Sequence, residues 1–383
     1  MLRFLTAGES HGKALTAVIE GFPAGILIDQ DFINAQLKKR QGGYGRGKRM
    51  EIEHDRVEIL SGVRNGETLG SPISLMIINK DWPNWQEIMS PEPGAHIWEK
   101  KVTKPRPGHA DLAGTLKYGH KDIRNTLERA SARETALKVA VGAVAKCLLN
   151  QFNINIYGHV VSIGGVEAKV DYSKLNSSLY NTPLYCTDER AMGEMIKLID
   201  LTKEKGDSLG GIIEVIAFNI PVGLGSHVHW DRRLDGRLAQ SVMSIPGIKG
   251  VEIGLGFAST KLPGSQVHDE IAFSNEKGFH HLTNNSGGIE GGISNGEAIV
   301  LRAAMKPIPT LYKPLLSIDL YSKEKHYASV ERSDTCAVPA AAVVAEGVTS
   351  WEIARSFLEK FPGDSLREIS ESWKRYLTYL RQV

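Results

Sequence analysis

A strand, a Pro-x-Gly turn, a helix and a second strand follow one another twice in this chain of 383 residues, and that repetition restricts the fold more than any other feature. In the first instance Ala14 to Ile19 predicts a strand and Gly21-Phe22-Pro23-Ala24-Gly25 ends it. Asp29 is suited to cap a helix through about Lys39, and residues 51–60 alternate in part, as an antiparallel strand does. In the second instance Ile212 to Ile220 predicts the strand, Pro221-Val222-Gly223-Leu224-Gly225 the turn, Asp231 to Val242 the helix and Val251 to Phe257 the last strand. The identity between the two stretches is low, yet the order suggests an internal duplication. Two antiparallel sheets with helices between or across them follow, so the expected class is α+β rather than a wound parallel sheet. Asn65-Gly66 predicts a hairpin turn and Ile73 to Ile78 a buried strand. One long helix is expected from about Asn125 to Leu149, with Arg129 and Arg133 four apart on one face. Two helices, over about 339–360 and 364–381, close the chain.

No Pro/Ser tract, charge block or low-complexity run marks a linker, so a single domain over 1–383 is expected. The composition, 42% hydrophobic and 23% charged, is that of an ordinary globular protein. A net charge of +2 gives no global argument for nucleic acid. The positive charge is local: residues 100–133 hold nine Lys and Arg against three Asp and Glu. Gly, Pro and His interrupt this run, which favours a binding loop over a solvated face. Cys147, Cys186 and Cys336 lack metal-ligand spacing, so neither a metal nor a disulfide is expected. No signal-peptide pattern or membrane-length apolar run is present, which predicts a soluble, cytoplasmic protein without a membrane partner.

The chemistry-bearing residues gather in a few Gly- and Pro-punctuated segments. Gly8-Glu9-Ser10-His11-Gly12 precedes Arg40-Gln41-Gly42-Gly43-Tyr44-Gly45-Arg46-Gly47-Lys48-Arg49. Lys104-Pro105-Arg106-Pro107-Gly108-His109-Ala110-Asp111 precedes Arg124 and Arg129-Ala130-Ser131-Ala132-Arg133-Glu134. Arginine forks bind phosphate and carboxylate bidentately, and glycines let the backbone approach an anion. Histidines beside them can exchange a proton near neutral pH. The combination predicts a site for a multiply anionic small molecule, with His11 and His109 as acid–base candidates. Gly8 to Gly12 nominally fits a hydrolase elbow, but a strand follows the serine where the elbow needs a helix. The Gly-rich 287–296 segment lacks the Gly-Lys-Ser/Thr ending of a phosphate loop, and Ser333 or Asp334 could simply cap a helix opening near Pro339.

Gly-Glu-Ser-His-Gly at 8–12, Arg-Pro-Gly-His-Ala-Asp at 106–111, Arg-Ala-Ser-Ala-Arg-Glu-Thr at 129–135 and Glu-Arg-Ser-Asp with Ala-Val-Pro-Ala at 331–340 resemble the chorismate synthase family, in order and at its usual spacing from residue 1 to about 360. The resemblance implies a β-α-β sandwich, a homotetramer and a role in the shikimate pathway to aromatic amino acids. The implied reaction is the anti 1,4-elimination of phosphate from 5-enolpyruvylshikimate 3-phosphate, a carbon–oxygen lyase reaction that needs reduced FMN. By the same resemblance Arg129, Ala130, Ser131, Pro246, Gly247, Gly291, Lys306, Pro307, Ile308, Pro309, Thr310 and Arg332 would hold FMN. Arg40 and Arg46 would serve NADP(H) or the substrate phosphate, with NADPH a candidate for keeping the flavin reduced. Arg49, Arg106 and Arg133 are assigned to substrate. His11 would protonate the departing phosphate, His109 would hold a proton near the flavin, and Asp334 would assist proton movement. Two rival readings remain at this point. A flavin reductase would consume NADPH stoichiometrically. An RNA-binding module would show steep salt dependence, but few aromatics stand among the basic residues for base stacking.

Overall fold

A computed structural model of the chain describes residues 2–47, 54–93, 97–331 and 333–383. The first of two large antiparallel sheets is built from β1 (Arg3–Ala7), β2 (Ala14–Glu20), β3 (Val57–Ser61) and β4 (Ile73–Ile78). Their spatial order is β1-β2-β4-β3. Helix α1 (Gln30–Gln41) joins β2 to β3, and α2 (Thr135–Asn150) comes after β4. The second sheet is built from β5 (Asn155–Ile163), β6 (Gly211–Phe218), β7 (Ile248–Ile253) and β8 (Ile299–Met305), with Val166–Glu167 added beside β5. Its order is β5-β6-β8-β7. Helix α3 (Leu234–Met243) joins β6 to β7, and α4 (Val338–Lys360) comes after β8. The two sheets therefore share one order of connections.

Period-two burial turns the first sheet toward the helices, whereas β5 and β6 of the second are buried along most of their length. Leu15, Ala17 and Ile19 of β2 and Ile73, Leu75 and Ile77 of β4 are all buried, as alternate residues of a half-buried strand are. Helix α2 packs against β2 and β4 on one side and against α4 on the other, while α4 packs against β5 and β6. Both helices are buried nearly all round, which is the pattern of interior helices. Their close approach depends on glycine. A Cβ on Gly142 would lie 2.4 Å from the Gly347 Cα, so the two backbones meet with no side chain between them. Asp29 caps α1 by accepting from the Asp31 N–H, and Ser365 with Glu368 forms a capping box on α5 (Leu366–Leu380).

Two predicted elements differ from the structure. The long helix expected from Asn125 to Leu149 is interrupted: Arg124–Leu127 is one short helix, Ala132–Glu134 a 3-10 turn, and α2 begins at Thr135. Ser131 causes the restart, because its hydroxyl accepts from the Arg133 N–H as an N-cap. Arg129 and Arg133 consequently do not share a helix face. Of the strand expected over 51–60, Val57–Ser61 is observed, while residues 51–53 lie outside the described residues. The strand expected at Val251 to Phe257 runs from Ile248 to Ile253 and gives way to a 3-10 turn, Gly256–Lys261.

Candidate active site

His11 lies in the loop between β1 and β2, buried against the Arg124–Leu127 turn. Its Nδ1 is 2.9 Å from Glu128 Oε2, and its backbone N–H donates to the same oxygen at 2.9 Å. The imidazole stacks on Trp85, ring centroids 3.9 Å apart. Arg124 Nη1 donates to Glu128 Oε1 at 2.9 Å and its guanidinium also sits over the Trp85 ring. Burial alone would raise the Glu128 carboxyl, but the hydrogen bonds and charge of His11, with Arg124 behind them, outweigh it and hold the group below its ordinary value.

His109 repeats the arrangement. Its Nδ1 is 2.5 Å from Asp111 Oδ1, and Arg106 grips the same carboxylate through Nε at 2.8 Å and Nη2 at 3.0 Å. Burial opposes ionisation of Asp111 here too, yet the hydrogen bonds from His109 and Arg106 keep it well below the usual carboxylate range. Arg106 Nη1 donates to Thr310 Oγ1 at 2.9 Å, and Lys306 donates to the Gly108 carbonyl. The sequence reading assigned Arg106 to substrate. In the structure its guanidinium is engaged by Asp111 and Thr310, and it shapes the His109 loop.

The third cluster is cationic. Asp55 lies between two arginines, 2.7 Å from Arg40 Nη2 and 2.5 Å from Arg133 Nη1. Asn79 receives Arg133 Nε at 3.0 Å and donates to the carbonyls of Glu9 and Gly12, which ties this cluster to the His11 loop. Arg40 is buried, with its Nε lacking a hydrogen-bond partner. Burial lowers its pKa, Asp55 counteracts this, and the neighbouring positive charges of Arg133 and Arg46 add to the lowering. Arg46 pairs with Asp334 at 2.9 Å, and the second Asp334 oxygen accepts the Gly47 N–H at 2.6 Å. Asp334 therefore fastens the Arg46 loop; it caps no helix, since α4 has Ala337 at its N-cap.

The proposed flavin residues divide into groups. Lys306 to Thr310 adjoin the His109 loop, and the Lys306 N–H donates to the Gly247 carbonyl at 2.9 Å, which brings Pro246-Gly247 to the same place. Ser131 Oγ donates to Ser10 Oγ at 3.2 Å, beside His11. Arg129 is exposed and donates to the carbonyls of Gly8 at 3.0 Å and Thr6 at 3.1 Å, and Ala130 links Arg129 to Ser131. Gly291 is not with them: its hairpin packs on Arg233 and Leu234, near the start of β8, whereas Lys306 follows the end of that strand. Arg49 and Arg332 lie outside the described residues. Sequence reasoning missed Glu128, Trp85, Asp55 and Asn79. Glu128 is 117 residues from His11, and no local pattern reports a pairing of that range.

Buried arginines and two histidines, each backed by a carboxylate, on a mixed α/β scaffold of antiparallel sheets define an acid–base enzyme acting on a small polyanion. The chorismate synthase family model matches residues 2–358, and the chain belongs to that family. It is similar to the chorismate synthase of Desulforamulus reducens, 58% identical over 387 residues that span all of both chains. To that of Moorella thermoacetica it is 57% identical over 385 residues, again all of both. It is also similar to a crystal structure of chorismate synthase, with a TM-score of 0.81 and 45% identity over 100% of this chain and 99% of that one. Among the described residues no helix is long and apolar enough to cross a membrane.

Proposed function

We propose that the chain catalyses the anti 1,4-elimination of phosphate from 5-enolpyruvylshikimate 3-phosphate to chorismate. The observation that carries this reading is a carboxylate-held histidine, His11, joined through Asn79 to the Arg40–Asp55–Arg133 cluster. That cluster has more cationic than anionic groups, as a site for a phosphate and two carboxylates requires. Arg40, Arg46 and Arg133 bind those anions, and Arg40 Nε is a buried donor without a protein partner. NADPH is the second candidate for Arg40 and Arg46.

The donor set suits FMN. Lys306 and Thr310 offer charged and hydroxyl groups to a phosphate beside the Gly247 turn, whose glycine has φ +89°. Ser131 and Arg129 offer a second set beside His11. Pro246, Pro307, Ile308 and Pro309 supply apolar contact, and Gly291 would join from a different part of the surface. Reduced flavin, when bound, supplies electron density that lets the phosphate leave without net redox change. His11 hands a proton to the departing phosphate oxygen. His109, fixed by Asp111, holds a proton for the flavin, and Asp334 assists proton movement while it orients Arg46.

The common order of strands supports two copies of one unit within a single domain, layered as a β-α-β sandwich. Leu5, Val18 and Ile78 are exposed on the outer face of the first sheet, which supports assembly into a homotetramer. The enzyme works in the cytoplasm. The test is anaerobic: protein, reduced FMN and the enolpyruvyl phosphate, followed by the diene absorbance of chorismate. Turnover is expected only while FMN is reduced and without stoichiometric NADPH. Sustained turnover with oxidised FMN, or NADPH consumption matching product, would sink the reading in favour of a flavin reductase.

A further inference from the structure

We propose that Glu128 is a positioning residue for the elimination: it takes the Nδ1 proton of His11 and leaves Nε2 as the one ring nitrogen that can pass a proton to the leaving phosphate. The inference rests on the reading of His11 as the proton donor and deepens it. Three contacts converge on the imidazole. Glu128 Oε2 receives both the ring Nδ1–H and the His11 backbone N–H, each at 2.9 Å, so main chain and side chain of one residue are fastened to one oxygen. Trp85 lies parallel to the ring at an interplanar angle of 25° and blocks rotation out of that plane. Arg124 holds the other carboxylate oxygen at 2.9 Å, and its second terminal nitrogen is 3.7 Å from Glu331.

A lone imidazole divides its proton between two tautomers. A carboxylate at Nδ1 removes that freedom, because the alternative tautomer would set two lone-pair atoms against each other at hydrogen-bond distance. The same carboxylate stabilises the imidazolium that exists before the proton is handed over. In the step itself the Nε2–H bond breaks and the proton goes to a phosphate oxygen. The ring's carbon–oxygen bond to phosphate breaks, the electron pair of the ring C–H bond that is lost forms the new double bond, and the proton released from that carbon balances the one His11 gives. His11 returns neutral, with its Nδ1–H still on Glu128. The charged groups around His11 are Glu128, Arg124 and Glu331 on one side, with Lys100 and Asp81 reaching it through Trp85.

An amide cannot replace this carboxylate. In Glu128→Gln the new NH2 must face either the His11 donors or the Arg124 donor, so one contact is lost whichever way it turns. Turnover should fall at saturating substrate and flavin, with KM little changed, by about 10²–10⁴-fold, as when a histidine loses its orienting carboxylate. The alkaline limb of the kcat–pH profile, where a proton donor is lost, should move, which a residue that only supports the fold would not cause. Glu128→Asp, which keeps the charge, should recover part of the loss. In a His11→Ala background Glu128→Gln should add no further loss, because the carboxylate acts through the ring. Nitrogen NMR of the full-length protein with labelled histidine should show His11 as the Nδ1–H tautomer when neutral.

Near-normal turnover in His11→Ala would remove the donor reading itself. A slow His11→Ala beside a Glu128→Gln variant with normal kcat and pH profile would overturn the Glu128 inference alone, as would an independent additional loss in the double variant. If Glu128→Gln does not fold, an Nε2–H tautomer in the unaltered protein overturns it.

Discussion

Asp55 is buried, and among the described residues its carboxylate pairs with two cations, Arg40 and Arg133, so it holds together a cluster that would otherwise repel itself. Burial by itself would push its carboxyl upward, and the guanidiniums overcome this and leave it below the ordinary value. The sign follows from linkage. A carboxyl with a depressed folded value gives stability that is complete above its unfolded value, near 4, and is lost as pH falls through the folded value. Glu128 and Asp111 are depressed too and act in the same direction. The thermal midpoint should therefore fall on acidification below about pH 4. Asp55→Asn should be less stable at neutral pH by about 3–5 kcal/mol, as when one partner of a buried pair is removed. Its acid limb should also be shallower, measured as the midpoint against pH. An unchanged acid limb would show that Asp55 is not ionised in the fold. A single residue thus serves the site by keeping its arginines in place.

At the scale of elements, the meeting of α2 and α4 is the most demanding packing. Both helices have long apolar faces, but only glycine at 142 permits the observed approach. Gly142→Ala should lower stability by about 1–3 kcal/mol through overpacking, despite the gain in helix propensity. The denaturant midpoint measures it; an alanine variant as stable as the parent would mean the helices separate at little cost. Elements were legible where apolar period and punctuation agreed. Strands 14–20 and 73–78, the helix capped at Asp29 and the two closing helices came out within a few residues of their ends. The Asn125 to Leu149 segment misled because its apolar period continues through a break made by Ser131, a polar cap that periodicity does not register. Residues of the site were legible by type and local motif. Their partners were not, since Asp55 meets Arg133 across 78 positions and Glu128 meets His11 across 117. For that reason the buried carboxylates that Arg106 and Arg133 meet, Asp111 and Asp55, were not legible as their partners.

For the whole molecule, four motifs in order were enough to place the family, and the sheet-helix-sheet arrangement became visible only with the strand order of both halves. Each sheet rests on a helix, and those helices rest on each other. Neither half retains a covered core if the other leaves, because the face that α2 turns to α4 would meet water. Protection from hydrogen exchange should reflect this. The slowest amides should come from α2 and α4 together, at the free energy of global opening, while the loops around His11 and His109 exchange by local opening. Exchange-detected mass spectrometry on the intact chain measures this directly. One helix losing protection well before the other would mean that the halves open separately. Equal rates for the two helices would mean that the loops around His11 and His109 are anchored on a body that opens as one unit, so those loops can open while the body beneath them stays closed.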